Sequence, residues 1–132
     1  MTLTDGRIRV VAAVIRREGR YLVCRRPLDK QHGGLWEFPG GKVNAGETSA
    51  DALRRELAEE LALEAVALGV VLLSAVDGAS PFVIDFVETF ASGTPVLSEH
   101  TELGWFSPGE LAELPLAPAD ARFAASLLPE RD

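Results

Sequence analysis

Glu56, Glu59 and Glu60 follow one another at intervals that place all three on one face of an α-helix. Leucines recur every four residues in the same segment and predict an apolar stripe beside the glutamates: Leu53, Leu57 and Leu61. Carboxylates this close repel one another, so the arrangement favours a site where a divalent cation neutralises them. Mg²⁺ prefers oxygen ligands and usually joins such carboxylates to substrate phosphates. The alternative is an acidic helix face that is simply solvated.

The wider segment 41–63 has a recognisable order of residue types. It resembles the Nudix box: glycine, five residues, glutamate, seven residues, Arg-Glu, an aliphatic residue, one residue, two glutamates, one residue, glycine and an aliphatic residue. The matching positions are Gly41, Glu47, Arg55, Glu56, Leu57, Glu59, Glu60 and Leu63. Ala62 stands where the family usually has glycine. Because that glycine serves as a left-handed helix cap, Ala62 either costs about 1 kcal/mol or lets the helix run further.

The resemblance implies roles for the charged positions of the box. Glu56, Glu59 and Glu60 are expected to bind or support Mg²⁺, for which Mn²⁺ can substitute. One of them or a nearby carboxylate would take a proton from the attacking water. Arg55 would fix a glutamate by a salt bridge, while Glu47 would support the loop. The sequence leaves the general base and the number of metal ions open.

The segment 35–42 looks like the MutT-type branch of the family, which hydrolyses nucleoside triphosphates. In that branch the carbonyl equivalent to that of Gly40 faces a metal. The tripeptide Pro-Gly-Gly permits this backbone direction, although such a tripeptide alone is usually a turn. Arg26 aligns with an arginine that faces the substrate and would bind phosphate as a guanidinium fork; otherwise it is a solvated strand end. Phe38 and Trp36 are predicted to lie near the base and to stack on it.

Two acids outside the box complete the predicted site. Glu99, six residues before Trp105, is placed like the late glutamate that MutT-like enzymes use near the metal. Asp120 lies in a Pro-Ala-Asp sequence like that of pyrophosphohydrolases acting on cytidine or oxidised purine nucleotides, which implies base recognition. Each has a plainer alternative: a loop charge for Glu99, and an acid favoured by the helix dipole for Asp120. His32 and His100 are interpreted as loop residues.

Composition is that of an ordinary globular enzyme, and a single domain over residues 1–132 is expected. The sequence is 47% hydrophobic and 25% charged, with a net charge of −7. Acidity argues against binding of long nucleic acid, which needs many Lys and Arg contacts to phosphate. No apolar run is long enough to span a membrane, and the first residues lack the core of a secretory signal, so a cytoplasmic location is expected. The single cysteine, Cys24, is predicted to be a buried thiol; monomer and homodimer both remain open.

Hydrophobic periodicity predicts strands followed by a helix, further strands and two final helices. Strands are expected at 8–15, 21–25, 66–76, 81–90, near Val96 and at 103–106. Helices are expected from Thr48 through the box, from Ser107, and over 118–128. This order indicates a mixed sheet covered on both faces. The resemblance implies an α/β (α+β) fold, the Nudix α/β/α sandwich, with the box helix and the C-terminal helix packed on the sheet.

These observations predict Mg²⁺-dependent hydrolysis of a small-molecule nucleotide. The expected substrates are (deoxy)nucleoside triphosphates, including oxidised or modified ones of the 8-oxo-dGTP or CTP/dCTP type, and the products are nucleoside monophosphate and pyrophosphate. One alternative is another nucleoside diphosphate linkage such as ADP-ribose, since the box recognises only the pyrophosphate. A second is a non-catalytic nucleotide-binding module, although such a module should have lost charged box positions. The sequence does not select the base.

Overall fold

The computed structural model describes residues 6–76 and 80–129. Their elements, in chain order, are β1 (Ile8–Val14), β2 (Arg16–Arg17), β3 (Arg20–Arg25), β4 (Trp36–Glu37), β5 (Gly40–Lys42), α1 (Ser49–Leu61), β6 (Glu64–Val76), β7 (Phe82–Ser92), β8 (Glu102–Phe106), α2 (Pro108–Leu111) and α3 (Pro118–Ser126). One sheet has the order β5-β1-β7-β6, with β1 and β7 parallel and the other neighbours antiparallel. A second sheet joins β2, β3 and β4, and β8 pairs with β3.

The central strand β1 is buried on both faces, as expected for a sheet between two helical layers. Val11 and Ala13 belong to the core cluster that contains the leucines of α1. Ala12 and Val14 belong to the opposite cluster, which contains Phe123 of α3. The predicted mixed sheet with the box helix and the C-terminal helix on opposite faces is therefore confirmed.

The box helix α1 begins as its sequence predicts, and it ends in the first of the two ways that the sequence allowed. Thr48 accepts a hydrogen bond from the Asp51 N–H, and the Asp51 side chain accepts one from the Thr48 N–H, which completes a capping box. Leu53, Leu57 and Leu61 are all buried. At the other end, Ala62 adopts the left-handed conformation, with φ of 54°. The glycine-type cap is thus kept without its glycine.

Ala62→Gly is expected to raise the free energy of unfolding by about 1 kcal/mol, because glycine removes the penalty that a Cβ incurs in the left-handed region. Urea denaturation of both proteins measures the difference. The matched control is Ala58→Gly in the exposed interior of α1, which should lower stability by about 1 kcal/mol. An Ala62→Gly protein less stable than the parent would contradict the role assigned to the cap.

Three predicted features of the secondary structure, two in strands and one in a helix, need correction. The strand expected near Val96 is absent: residues 94–97 lie outside the sheets, and the Val96 N–H instead donates to the Leu61 carbonyl at the end of α1, at 2.8 Å. The predicted loop before the box contains the two short strands β4 and β5. The C-terminal helix ends at Ser126, two residues earlier than expected.

In the described part of the chain, no helix is long and apolar enough to cross a membrane.

Candidate active site

Arg55 fastens the loop before α1 to the helix itself. Its Nε and one terminal nitrogen donate to both carboxylate oxygens of Glu47, at 2.8 and 3.0 Å. The other terminal nitrogen donates to Glu56 at 2.8 Å and lies 3.4 Å from Glu59, and a further bond reaches the Lys42 carbonyl at 3.1 Å. The hydrogen bonds from Arg55 lower the pKa of Glu47 to about 2. Arg55 therefore fixes the carboxylates of Glu47 and Glu56, and Glu47 lies in the loop before α1.

Glu60 is a buried carboxylate with 8% of its surface exposed. Its Oε2 accepts a hydrogen bond from the Gly40 N–H at 3.2 Å, which links α1 to β5. Burial, followed by the nearby charges of Glu56 and Glu37, raises the pKa of Glu60 well above its usual range. A buried carboxylate among like charges is what a bound cation would stabilise.

Gly41 permits the close approach of Glu56. A Cβ built at Gly41 would lie 2.5 Å from the Glu56 carboxylate, so a larger residue would displace that carboxylate. The first glycine of the box is thus explained by the space it leaves for a glutamate.

The box carboxylates do not form a closed metal cage. Glu56 is held by Arg55, Glu60 is bonded to Gly40, and the Glu59 side chain is 61% exposed. Among the described residues, no three acidic, imidazole or thiol groups lie close enough to hold an ion together. Such an open set of oxygen donors fits Mg²⁺, which usually keeps waters and substrate phosphates among its ligands. The contact shown for Gly40 is made by its N–H; the metal role predicted for its carbonyl stays a prediction.

Two adjoining pockets lie near the box, and of its glutamates Glu60 lines one of them. The first, called the sheet pocket, has a volume of about 320 Å³ and is lined by Val10, Val11, Ala12, Arg26, Gln31, His32, Glu37, Phe38, Gly40, Gly41, Lys42, Phe82, Ile84 and Asp120. The second, called the loop pocket, has a volume of about 530 Å³ and is lined by Arg26, Pro27, Asp29, Lys30, Glu60, Glu99 and His100. Arg26 lines both. The fold therefore brings Glu99 to the same pocket as Glu60, and Asp120 to the same pocket as Arg26.

A partly buried network that the sequence did not reveal holds Arg26. The Arg26 Nε donates to the Gln31 carbonyl at 2.7 Å, and a terminal nitrogen donates to Glu37 at 2.9 Å. The same Glu37 oxygen lies 3.0 Å from the His100 Nε2. His100 is a loop residue, as predicted, but it is buried, and its Nδ1 has no hydrogen-bond partner within the described ranges. Glu37 lies inside the MutT-like segment 35–42, and that position was the one feature of the sequence that could have indicated a role for it in the site.

The ring of Phe38 does not fit the stacking role predicted for it. It is 3% exposed and packs edge-on against Phe86 and Phe123, with ring centroids 5.9 and 5.2 Å apart. Its backbone N–H donates to the Asp120 carboxylate at 2.8 Å. The Phe38 side chain thus packs in the core, but Phe38 also lines the sheet pocket, and the substrate-binding role predicted for it stays a prediction.

Trp36 is also buried, 7% exposed and edge-on to Phe106 at 5.4 Å, so its predicted stacking role does not fit either. Phe82, at the start of β7, lines the sheet pocket instead, with the Lys42 ammonium 5.4 Å from its ring centroid. The sequence did not indicate Phe82 or Lys42 as residues of this pocket, because β5 and β7 are far apart along the chain. Cys24 is fully buried, as predicted, and burial raises the pKa of its thiol.

Comparison with known proteins agrees with this geometry. The model of the NUDIX domain family matches residues 6–127. A CTP pyrophosphohydrolase of Escherichia coli (strain K12) is 44% identical over 117 residues, which cover 86% of this chain and 85% of that protein. An 8-oxo-dGTP diphosphatase of Haemophilus influenzae is 45% identical over 60 residues, or 45% of this chain and 44% of that protein.

Solved structures show the same fold. The solution structure of the E. coli ORF135 protein has a TM-score of 0.77 and 40% identity, covering 94% of this chain and 91% of that one. The crystal structure of a MutT NUDIX hydrolase from Burkholderia pseudomallei has a TM-score of 0.80 and 30% identity, covering 92% and 98%. By sequence and by structure, this chain belongs to the NUDIX domain family and is a Nudix hydrolase.

Proposed function

We propose that this protein hydrolyses (deoxy)nucleoside triphosphates to nucleoside monophosphate and pyrophosphate with the help of Mg²⁺. One observation carries the proposal: Glu60 of α1 lines a mostly charged pocket, and that pocket shares Arg26 with a mostly apolar pocket. The names of the relatives, a CTP pyrophosphohydrolase and an 8-oxo-dGTP diphosphatase, support the triphosphate class. A base of the cytosine or oxidised-purine type is therefore the first to test.

The sheet pocket suits the base of such a nucleotide. Val10, Ile84 and the Phe82 ring provide apolar surface for its faces. Asp120, buried with 6% exposed, provides a carboxylate that can accept hydrogen bonds from exocyclic amines. A pocket of this composition orients a base through one polar edge.

In the proposed reaction, water attacks the α- or β-phosphorus of the bound nucleotide and forms a new P–O bond. The anhydride P–O bond between the α- and β-phosphates breaks, which gives nucleoside monophosphate and pyrophosphate. Mg²⁺, when bound by Glu56, Glu59 and Glu60 with support from Glu99, would supply charge neutralisation and a more acidic water. A box carboxylate accepts the proton of that water. Arg26 orients the phosphates, since Glu37 and Gln31 already fix its guanidinium.

The test is a substrate panel assayed with Mg²⁺ and with EDTA. It contains CTP, dCTP, dGTP, 8-oxo-dGTP, dTTP, ADP-ribose and a dinucleoside polyphosphate, with the products separated by ion-exchange chromatography. Metal-dependent release of pyrophosphate and monophosphate from at least one triphosphate is expected. Faster cleavage of ADP-ribose than of every triphosphate would overturn the substrate class, and binding without turnover would indicate a non-catalytic module.

Asp120→Asn is expected to change the ranking of bases while largely preserving the fold. Asparagine keeps an oxygen to accept the Phe38 N–H but replaces the other oxygen with a donor, so the base edge meets altered chemistry. A hydrogen bond that only the correct base makes is worth about 1–3 kcal/mol, or roughly 5- to 150-fold in relative kcat/KM. The measurement is kcat/KM for dCTP, dGTP, 8-oxo-dGTP and dTTP in both proteins.

Asp120→Ala is the companion variant, because it also leaves the buried Phe38 N–H without this acceptor. It should lower the melting temperature as well as alter the ranking. If both variants keep the parent's ranking and only the melting temperature of Asp120→Ala falls, Asp120 is a structural residue and not a reader of the base.

A further inference from the structure

Lys30 lies on the loop that borders the charged pocket, and the box pattern gives it no role. The loop is closed by main-chain hydrogen bonds: Gly34 N–H to the Arg26 carbonyl at 3.0 Å, Arg26 N–H to the Leu35 carbonyl at 2.9 Å, and Lys30 N–H to the Pro27 carbonyl at 3.2 Å. The Arg26 side chain also donates a hydrogen bond to the Gln31 carbonyl within this loop. Lys30 and Arg26 are thus anchored in one small hydrogen-bonded unit.

The loop pocket is short of positive charge. Its lining carries the carboxylates of Asp29, Glu60 and Glu99 against the two cations Arg26 and Lys30. Arg26 commits its Nε to Gln31 and one terminal nitrogen to Glu37. Within residues 6–76 and 80–129, no ion pair is formed by the Lys30 ammonium. Lys30 is exposed where it lines the pocket, so of the two cations in the lining it is the one whose charge no described carboxylate neutralises.

The two pockets give a bound nucleotide a direction. Phe82 and Asp120 line the sheet pocket, and Arg26 lines both pockets. A nucleotide with its base between Phe82 and Asp120 would therefore carry its phosphates past Arg26 and its distal phosphates into the loop pocket. We propose that Lys30 binds the β- and γ-phosphates, the part that leaves as pyrophosphate. This inference rests on the proposed triphosphate hydrolysis and adds a residue that distinguishes the leaving pyrophosphate from the nucleoside monophosphate.

The test measures inhibition of the enzyme by its two products. In Lys30→Gln, the inhibition constant of pyrophosphate should rise about 5- to 20-fold, because a charge-assisted hydrogen bond to phosphate is lost. The inhibition constant of nucleoside monophosphate should change less than about 2-fold, because its contacts lie in the sheet pocket and the substitution does not alter them. Lys30→Arg keeps the charge and should retain most of the pyrophosphate affinity.

Lys42→Gln is the matched control. It removes the same charge from the neighbouring sheet pocket, near Phe82, so a general field effect would weaken pyrophosphate equally in both variants. An unchanged pyrophosphate constant in Lys30→Gln, or equal changes in Lys30→Gln and Lys42→Gln, overturns the role of Lys30. A wild-type protein that hydrolyses no triphosphate would instead overturn the proposed function, so the two failures are distinguishable.

Discussion

Glu60→Gln is expected to lower kcat/KM by about 10²-fold or more while the protein becomes more stable in the absence of metal. The activity falls because the amide cannot supply the charge of a metal ligand or accept the proton of water. The fold persists because the amide oxygen can still accept the hydrogen bond from the Gly40 N–H. Hydrolysis assayed with limiting Mg²⁺ measures the loss.

The gain in stability follows from the direction of the pKa shift. Burial raises the pKa of Glu60 in the folded protein above its usual value of 4.5, so the folded state holds a proton that the unfolded state has lost. Wild-type stability contributed by Glu60 is full below pH 4.5 and declines as pH rises through the folded pKa. Glutamine does not titrate, so Glu60→Gln should gain on the order of 1–3 kcal/mol over wild type at pH 7.5, and less at pH 5.

Glu59→Gln is the matched control for this stability effect. Its side chain is 61% exposed, so removal of its charge should impair activity without a comparable gain in stability. Chemical denaturation in EDTA at pH 5 and 7.5 separates the two variants. If Glu60→Gln keeps near wild-type turnover, the metal assignment is wrong; if its stability gain does not grow with pH, the buried-carboxylate argument is wrong.

Arg55→Lys is expected to lower activity about 10²-fold and stability by about 1–3 kcal/mol. Every nitrogen of the Arg55 guanidinium is engaged, including the bidentate pair with Glu47 and the bond to Glu56. Lysine carries the same charge, but its single nitrogen cannot reproduce the bidentate pair with Glu47 together with the separate bond to Glu56. Glu56 is then no longer fixed in the place that Gly41 leaves for it.

The neighbouring Arg54→Lys is the control, because Arg54 is exposed on the same helix and the change there should be nearly neutral. Steady-state kinetics and urea denaturation of both variants provide the comparison. Similar behaviour of Arg54→Lys and Arg55→Lys would show that total charge, and not the forked geometry of Arg55, supports the site.

The local sequence by itself determined the box helix. Thr48 and Asp51 form the capping box, and the leucines every four residues form the buried stripe. Each of these depends on residues within one or two helical turns, so neighbours along the chain are enough to specify it. The resemblance over 41–63 also predicted the family, which the comparisons confirm.

Tertiary structure alone decided which side chains share a pocket. Phe38 and Asp120 are 82 residues apart in the chain and Glu37 and His100 are 63 apart, yet both pairs are in hydrogen-bond contact. A local pattern specifies which residues share a face, but burial depends on what packs against that face from elsewhere. This is why Phe38, predicted from the sequence to stack on a base, packs in the core against α3, and why Phe82, from a distant strand, lines the same pocket.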